Sequence, residues 1–180
     1  NKAADVIVKR ILDLVDAELD PDGWLCRYGA STDLDLINRG MVYDGNTFKL
    51  HLFQKCVMVT TIQRFPYEKV ITNIYENGEE KTSINEIAWD TIIFDEASMI
   101  MLPAIIYPLY KRKFKRYDQE ELTEFIIGGD PLQIPPIYDI ADSDLGEDNE
   151  DVKEENIYTM IGLKSFDETV QADIPKYGTK

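Results

Sequence analysis

The chain has 180 residues, of which 44% are hydrophobic, and this length and composition suit one domain with a sizeable core. Its formal net charge of -15 excludes a uniformly basic nucleic-acid-binding surface, although it leaves room for a local basic groove. No apolar run approaches the roughly 18 residues of a membrane span, and we expect no signal peptide. The composition therefore predicts a cytoplasmic protein with no membrane partner.

The first part of the chain predicts a helix followed by a short strand. Apolar residues recur every three or four positions over residues 3–19, which is the spacing of a helix stripe. That stripe consists of Val8, Ile11, Leu12, Val15 and Leu19. Residues 20–23 read DPDG, a turn sequence, and residues 24–29 read WLCRYG, which predicts a short strand ending at Gly29. Residues 31–54 have no clear period, and we expect a short helix and loop there.

The two cysteines, Cys26 and Cys56, are too few for a disulfide framework and do not form a metal-binding motif. Cys56 begins the run CVMVTT, residues 56–61, which is continuously β-prone and therefore predicts a buried strand. We expect Cys56 to be a thiol of the hydrophobic core.

The second half of the chain alternates strand and helix signals. Residues 69–84 contain an Asn-Gly pair and predict a hairpin or an irregular insert. Residues 91–95, TIIFD, give the strongest strand signal, and residues 124–129, EFIIGG, predict another buried strand. Residues 102–117 predict a helix between them, and its internal proline should kink or interrupt that helix.

Strand, helix and strand within about 40 residues form a βαβ unit, which gives parallel strands. Ligands of such sheets bind at the carboxyl ends of the strands. Asp95 and Glu96 end one predicted strand, and Asp130 follows the next. We therefore expect the three acids at one edge of the sheet.

Residues 139–156 differ in composition from the rest of the chain. They are dense in acids and nearly free of large apolar residues, which predicts a solvated, mobile loop. The alternative is that this acidic segment binds a basic partner. Residues 157–166 return to a composition typical of ordered structure.

An apolar strand that ends in Asp-Glu has a use in phosphate chemistry. The first carboxylate, Asp95, can hold Mg²⁺, usually through water, and the second, Glu96, can orient and activate an attacking water. The alternative interpretation is a solvated strand end, or two acids placed near a helix N-terminus.

The segment 126–136, IIGGDPLQIPP, makes the chemical interpretation more specific. Gly128 and Gly129 permit close backbone packing or unusual dihedral angles. Gln133 both donates and accepts hydrogen bonds, so it can sense a terminal phosphate or a water. The alternative interpretation is an ordinary glycine- and proline-rich loop that follows a strand. Such a loop does not by itself require an acid, a glutamine and a pair of prolines at these positions in the segment.

Four segments in order resemble motifs of superfamily 1 helicases, particularly the branch of the up-frameshift RNA helicases. TIIFDEASMI resembles the Walker B motif, and FIIGGDPLQIPP resembles the third motif. CVMVTTIQRF is similar to the strand whose terminal threonines lie near single-stranded nucleic acid. NKAADVIVKRIL is similar to the end of the early strand-binding motif and its following helix. Together the four segments cover about residues 1–136.

The resemblance implies roles for five residues in nucleotide chemistry. Asp95 would bind Mg²⁺, and Glu96 would be the catalytic base that orients or activates water. Gln133 would contact the γ-phosphate of ATP and take part in catalysis by reporting its loss. Asp130 would belong to the nucleotide-binding set, and Ser98 would couple the site to the rest of the domain.

The resemblance also implies a surface for single-stranded DNA or RNA. Thr60 and Thr61 would face the nucleic-acid strand, and Asn1 and Lys2 would join them. Arg64 is a further candidate, and its alternative is an ordinary surface arginine. The sequence does not decide between DNA and RNA.

The implied fold is α/β: a three-layer RecA-like P-loop NTPase domain with a mostly parallel central sheet, truncated at its N-terminus. Residues 1–180 would then be part of the first RecA-like domain of a helicase. The sequence contains no G-x-x-x-x-G-K-[ST] phosphate loop, which in the family precedes the point where this chain begins. We therefore expect the chain alone to be inactive, and ATP with Mg²⁺ to act in an intact parent.

The expected partners are single-stranded nucleic acid and the second RecA-like domain of the same parent chain. A truncated sheet exposes an edge where a first strand would pair, so a dimer through that edge is a further expectation. Two other functions remain open at this point: a non-motor P-loop ATPase or switch module, and an acidic protein-interaction module.

Overall fold

The computed structural model describes residues 2–15, 20–65, 67–115, 123–130, 133, 136 and 156–162, with the backbone alone for residues 112–115. The chain is mixed α/β and divides into two compact units, Asn1–Ile87 and Ala88–Lys180. Within the described part of the chain, no helix combines the length and apolar character needed to cross a membrane.

The first unit is built around a three-stranded parallel sheet. Its helices and strands are α1 (Lys2–Leu14), β1 (Leu25–Tyr28), α2 (Leu34–Asn38), β2 (Val42–Tyr43), β3 (Val57–Val59), β4 (Lys69–Tyr75) and β5 (Gly78–Ser83). The sheet order is β2-β1-β3, and both pairings are parallel. The central strand β1 is buried along its whole length, as expected for a parallel strand with neighbours on both sides.

The two faces of this sheet carry different cores. Side chains alternate along a strand, so Leu25 and Arg27 point to one face and Cys26 and Tyr28 to the other. On the first face a buried cluster joins helix α1 to the sheet; it consists of Val8, Leu25, Leu36 and Met41. Aromatic rings pack on the second face, at centroid distances of 5.0 to 6.1 Å. Those rings are Tyr28, Tyr43, Phe48 and Phe53.

A buried ion pair links α1 to β1. The Arg27 side chain is fully buried, and its Nε donates to Asp5 Oδ1 at 2.7 Å. The remaining guanidinium nitrogens donate to the carbonyl oxygens of Tyr28 and of Ala30. Arg27 thus has partners on several sides, which is the condition under which a buried charge is tolerated.

Strands β4 and β5 form an antiparallel hairpin in which Tyr75 pairs with Gly78. This confirms the hairpin predicted for residues 69–84. Gly78 follows the turn with a φ of 140°, a backbone conformation open to glycine and strained for other residues.

The second unit contains a βαβ arrangement followed by a short helix. Its elements are β6 (Thr91–Phe94), a single 3-10 turn (Ala97–Met99), α3 (Leu102–Lys115), β7 (Glu124–Ile127) and α4 (Ile157–Met160). Strands β6 and β7 pair in parallel, with Thr91 opposite Glu124 and Phe94 opposite Ile127. The predicted βαβ unit is therefore confirmed as a parallel strand pair joined through a helix.

The burial predicted for three strands was wrong. Strand β3 covers only Val57–Val59, and Val57 is 43% exposed. In β6 and β7 burial alternates, so that Ile93 and Ile126 are 66% and 46% exposed. A continuous apolar run does not by itself distinguish a strand covered on both faces from one covered on a single face.

Three further differences concern element boundaries. Strand β2, only two residues long, lies in the segment where we expected helix and loop, because so short a strand has no detectable period. Helix α3 continues through Pro108, so of the predicted kink or interruption the interruption is excluded, because one proline removes only one backbone hydrogen bond. Helix α1 ends at Leu14, whereas we predicted helix to residue 19. Residues 16–19 lie outside the described part of the chain, and so do the acidic residues 139–155.

The Arg27–Asp5 pair generates a stability prediction. Asp5→Ala leaves the fully buried Arg27 guanidinium without its carboxylate, and we expect unfolding free energy to fall by about 3–5 kcal/mol. Lys9→Ala is the matched control on the same helix, because it removes the exposed Lys9–Asp33 pair and should change stability little. Urea denaturation followed by circular dichroism measures both, and equal losses in the two variants would contradict the prediction.

Candidate functional site

The carboxyl ends of β6 and β7 are joined by backbone hydrogen bonds. The N–H of Gly128 donates to the carbonyl of Phe94 at 2.8 Å, which extends the parallel ladder by one residue. The N–H of Ala97 then donates to the carbonyl of Gly128 at 2.9 Å. These bonds bring the turn containing Asp95 and the turn containing Asp130 to the same edge of the strand pair.

The turn after β6 holds Glu96 in a strained backbone conformation. Glu96 has φ 53° and ψ 44°, in the left-handed region that non-glycine residues seldom occupy. Its N–H donates to Asp95 Oδ1 at 3.1 Å, and the 3-10 turn begins at the next residue. Both carboxylate side chains are exposed, so the strained turn presents two acids to solvent.

Gly129 allows the two turns to approach closely. Its φ is 148°, and a Cβ at this position would lie 2.8 Å from the backbone nitrogen of Ala97. The same atom would lie 3.0 Å from the hydroxyl of Tyr158. Both distances are shorter than ordinary packing allows, which confirms that this glycine serves close packing and an unusual dihedral angle.

Tyr158, which the sequence did not single out, lies among the acids of the site. It is only 7% exposed, and burial raises the pKa of its hydroxyl, with further contributions from the charges of Glu96, Asp130 and Asp95. Its hydroxyl has no hydrogen-bond partner within the described residues. Burial and the charges of the three carboxylates therefore disfavour the phenolate form of Tyr158.

Asn156 positions Tyr158 by starting the short helix α4. The Asn156 Oδ1 accepts from the N–H groups of Tyr158 and Thr159, at 2.9 and 3.1 Å. In return, the N–H of Asn156 donates to the Thr159 hydroxyl at 2.9 Å. This is a capping box, and the Asn-x-x-Thr spacing that begins at the last residue of the acidic segment is the sequence signal that points to it.

Ser98 is fully buried in the 3-10 turn, and its hydroxyl has no hydrogen-bond partner among the described residues. Asp130 and Gln133 are exposed, and the N–H of Gln133 donates to the carbonyl of Asp130 at 3.1 Å. That bond places Gln133 in a turn with Asp130. The neighbouring residues 131–132 and 134–135 lie outside the part of the chain that the structure describes.

The residues assigned by resemblance to nucleic-acid binding lie in the first unit. Thr60 follows β3, and its hydroxyl is buried without a partner in the described structure. The carbonyl of Thr61 accepts from the N–H of Arg64 at 3.0 Å, which forms a tight turn. Lys2 is exposed at the start of α1, and Asn1 lies outside the described residues.

Arg64 has structural partners that explain its position. One of its terminal nitrogens pairs with Glu68 Oε1 at 2.8 Å, four residues along the chain. The arginine also packs against Gly29, where a Cβ would lie 2.8 Å from its Nε. This geometry agrees with the alternative interpretation of Arg64 as a packed surface arginine.

Among the described residues, no group of three or more histidine, cysteine, aspartate or glutamate side chains is arranged to hold a metal ion. A cage made only of protein ligands is therefore not formed in that part of the chain. Magnesium sites that use one or two carboxylates and take their other ligands from phosphates and water do not need such a group.

We predict that Gly129→Ala disrupts the site while Gly128→Ala does not. A Cβ at Gly129 clashes with backbone and forces a strained φ, whereas a Cβ at Gly128 meets only the Phe94 carbonyl, at 3.7 Å. Strain and overpacking together cost about 2–6 kcal/mol. Amide hydrogen exchange at Ala97 should therefore accelerate in the first variant only. Unchanged protection in Gly129→Ala would show that the two turns are not packed in this way.

We predict that Glu96→Gln lowers the pKa of Tyr158 toward the ordinary tyrosine value. A nearby negative charge disfavours the phenolate and raises the pKa, so removing that charge reverses part of the increase. Glu124→Gln, at the other end of β7, is the charge-matched control and should leave the pKa unchanged. Titration of the ¹³Cζ signal of Tyr158 by NMR measures both. Equal shifts in the two variants would argue against the described surroundings of the hydroxyl.

Comparisons of this chain with protein-family models, curated proteins and solved structures give no match. The relation to superfamily 1 helicases accordingly rests on the motif residues in the sequence and is taken up below as a proposal.

Proposed function

We propose that this chain is part of the ATP-hydrolysing motor of a superfamily 1 DNA or RNA helicase or translocase. In this proposal it forms part of the first RecA-like domain and supplies the magnesium-binding, water-activating and γ-phosphate-sensing residues. It also supplies part of the single-strand binding surface, around Thr60 and Thr61. The second RecA-like domain of the parent chain would close the site.

One observation carries the proposal: parallel pairing and close packing put three carboxylates and a buried hydroxyl at one sheet edge. Asp95 and Glu96 end β6, and Asp130 follows β7 at the same edge. A chance Asp-Glu pair at a solvated strand end does not require the strained Glu96 backbone or the close approach at Gly129. Backbone strain of this kind is concentrated at functional sites.

The residues present fit Mg²⁺ held together with a nucleotide's phosphates. Asp95 offers an exposed carboxylate, the hard oxygen ligand that Mg²⁺ prefers. Ser98 and Tyr158 each offer a buried hydroxyl without a partner among the described residues, which suits a polar ligand. The sequence contains no phosphate loop, so this chain lacks the lysine and backbone cradle that bind the β- and γ-phosphates.

Each of the site residues has a chemical role in the proposed hydrolysis. The metal ion, when bound, neutralises charge on the phosphate oxygens. Glu96 is held by its turn with the carboxylate in solvent, where it accepts a proton from an attacking water. Gln133 lies in a turn with Asp130, where its amide can donate to a phosphate oxygen and accept from water.

Metal binding is testable on this chain. Mn²⁺ replaces Mg²⁺ as a paramagnetic probe, and we expect it to broaden the amide signals of residues 95–98 and 128–130. Asp95→Asn should weaken that broadening, because it removes one anionic ligand. Asp90→Asn, an exposed acid at the amino end of the same strand, is the matched control. Broadening that is equal in both variants would place the cation on the general acidic surface and refute the assigned site.

Hydrolysis is the direct test of the proposed activity. This chain alone should show negligible ATPase, because its sequence lacks the phosphate loop. In a longer chain with the phosphate loop and second RecA-like half, we expect ATPase stimulated by nucleic acid. Glu96→Gln should lower that activity about 10²–10⁴-fold, the typical contribution of a general base.

Two outcomes of this experiment would overturn the proposal. The first is robust turnover by the present chain without a phosphate loop. The second is full activity of the longer chain after Glu96→Gln. Glu124→Gln is again the charge-matched control and should retain activity. ATPase without movement along nucleic acid would favour the non-motor switch module over the motor.

A further inference from the structure

The two cysteines of the chain meet in the first unit, although 30 positions separate them in sequence. Cys26 lies on β1, and Cys56 immediately precedes β3. The strands pair in parallel, with Leu25 opposite Val57 and Cys26 opposite Met58. Residues 26, 56 and 58 therefore point to the same face of the sheet, and the two sulfur atoms are 3.9 Å apart.

The two thiols differ in access and in acidity. Cys26 is fully buried, whereas Cys56 is partly exposed at the start of β3. The hydrogen bond with the Cys26 sulfur lowers the pKa of Cys56. The same bond together with burial raises the pKa of Cys26. The partly exposed member of the pair is thus the better nucleophile, and the sulfur of the buried member lies 3.9 Å from it.

We propose that Cys26 and Cys56 form a dithiol modification site, which a peroxide oxidises to a disulfide. This inference does not depend on the proposed ATPase function, because it uses only residues of the first unit. It also corrects our expectation for Cys56: the thiol is partly exposed rather than buried in the core, and it lies against a second thiol.

The reaction takes place in two balanced steps. The Cys56 thiolate attacks one peroxide oxygen; a sulfur–oxygen bond forms, the oxygen–oxygen bond breaks, and the departing oxygen is protonated to water or an alcohol. Cys26 then attacks the Cys56 sulfenic sulfur; a sulfur–sulfur bond forms and water leaves with the thiol proton. Two electrons pass from the thiols to the peroxide, and an external thiol returns them by disulfide exchange.

We expect disulfide formation to move the backbone near Cys56. A disulfide bond is about 2.05 Å long, so the sulfur atoms have to approach by roughly 2 Å from their present 3.9 Å. The two residues are diagonal neighbours rather than direct partners in the ladder, and such positions are farther apart than directly opposed ones. Cys56 is outside the strand, so we expect it to move toward Cys26. The start of β3, held by the bond from Val57 N–H to the Trp24 carbonyl at 2.8 Å, moves with it.

The first experiment uses the unmodified chain and the disulfide reagent DTNB at less than one equivalent. Attack by Cys56 releases one thionitrobenzoate, and resolution by Cys26 releases a second from the same reagent molecule. We therefore expect two equivalents released per DTNB, with the product a monomer on a non-reducing gel. One equivalent per DTNB, or a disulfide-linked dimer as the main product, would overturn the proposal.

The second experiment identifies the order of attack after treatment with hydrogen peroxide. In Cys26→Ser we expect a sulfenic acid on Cys56 that dimedone traps and mass spectrometry detects. Cys56→Ser is the matched control and should give little adduct, because its remaining thiol is buried. Predominant labelling of Cys26 in the control would reverse the assigned roles and refute them. If either variant fails to fold, the DTNB result on the unmodified chain still decides whether the dithiol site exists.

Hydrogen exchange of the oxidised protein tests the structural consequence. We expect faster exchange for the amide of Val57, because oxidation displaces the residue that precedes it. The amides of the β4–β5 hairpin provide an internal control and should not change. Identical exchange at Val57 in both redox states would show that the disulfide closes without moving β3, against the inferred displacement.

Discussion

Parallel pairing of β6 and β7 is the constraint on which the candidate site depends. Parallel strands end at the same edge, so the polar residues after each strand become neighbours although about 35 residues separate them in sequence. The bond from Ala97 N–H to the Gly128 carbonyl then holds the two turns together beyond the ladder. An antiparallel pair would have put Asp95 and Asp130 at opposite ends of the strands.

The same packing destabilises the folded state at a few residues. Glu96 occupies a left-handed backbone conformation, which costs about 1–3 kcal/mol for a residue with a side chain. Ser98 and Tyr158 bury hydroxyl groups without partners in the described structure, at about 1–3 kcal/mol each. If only stability mattered, a glycine in place of Glu96 and apolar side chains in place of Ser98 and Tyr158 would avoid these losses of folding free energy. Their presence together at one edge is the physical reason to assign a function there.

The sequence was sufficient for local features and for the topology of the second unit. Apolar runs identified β1, β6 and β7, and the Asn-Gly pair identified the hairpin, because each depends on residues close together in the chain. Burial was harder to predict: the exposed face that includes Ile93 depends on which other elements cover the strand. The approach of Cys56 to Cys26 follows from the strand register, which no local pattern specifies.

Tyr158 shows why the candidate site was only partly predictable. The acids and glycines of the site belong to two short motifs, whereas the tyrosine comes from a helix that follows the acidic segment and packs back on the turn. The raised pKa keeps its hydroxyl protonated, and a protonated phenol among carboxylates is a hydrogen-bond donor. Such a donor stabilises negative charge on a nearby oxygen. Within the proposed function, that oxygen belongs to a bound phosphate, because the Tyr158 hydroxyl has no hydrogen-bond partner among the described residues.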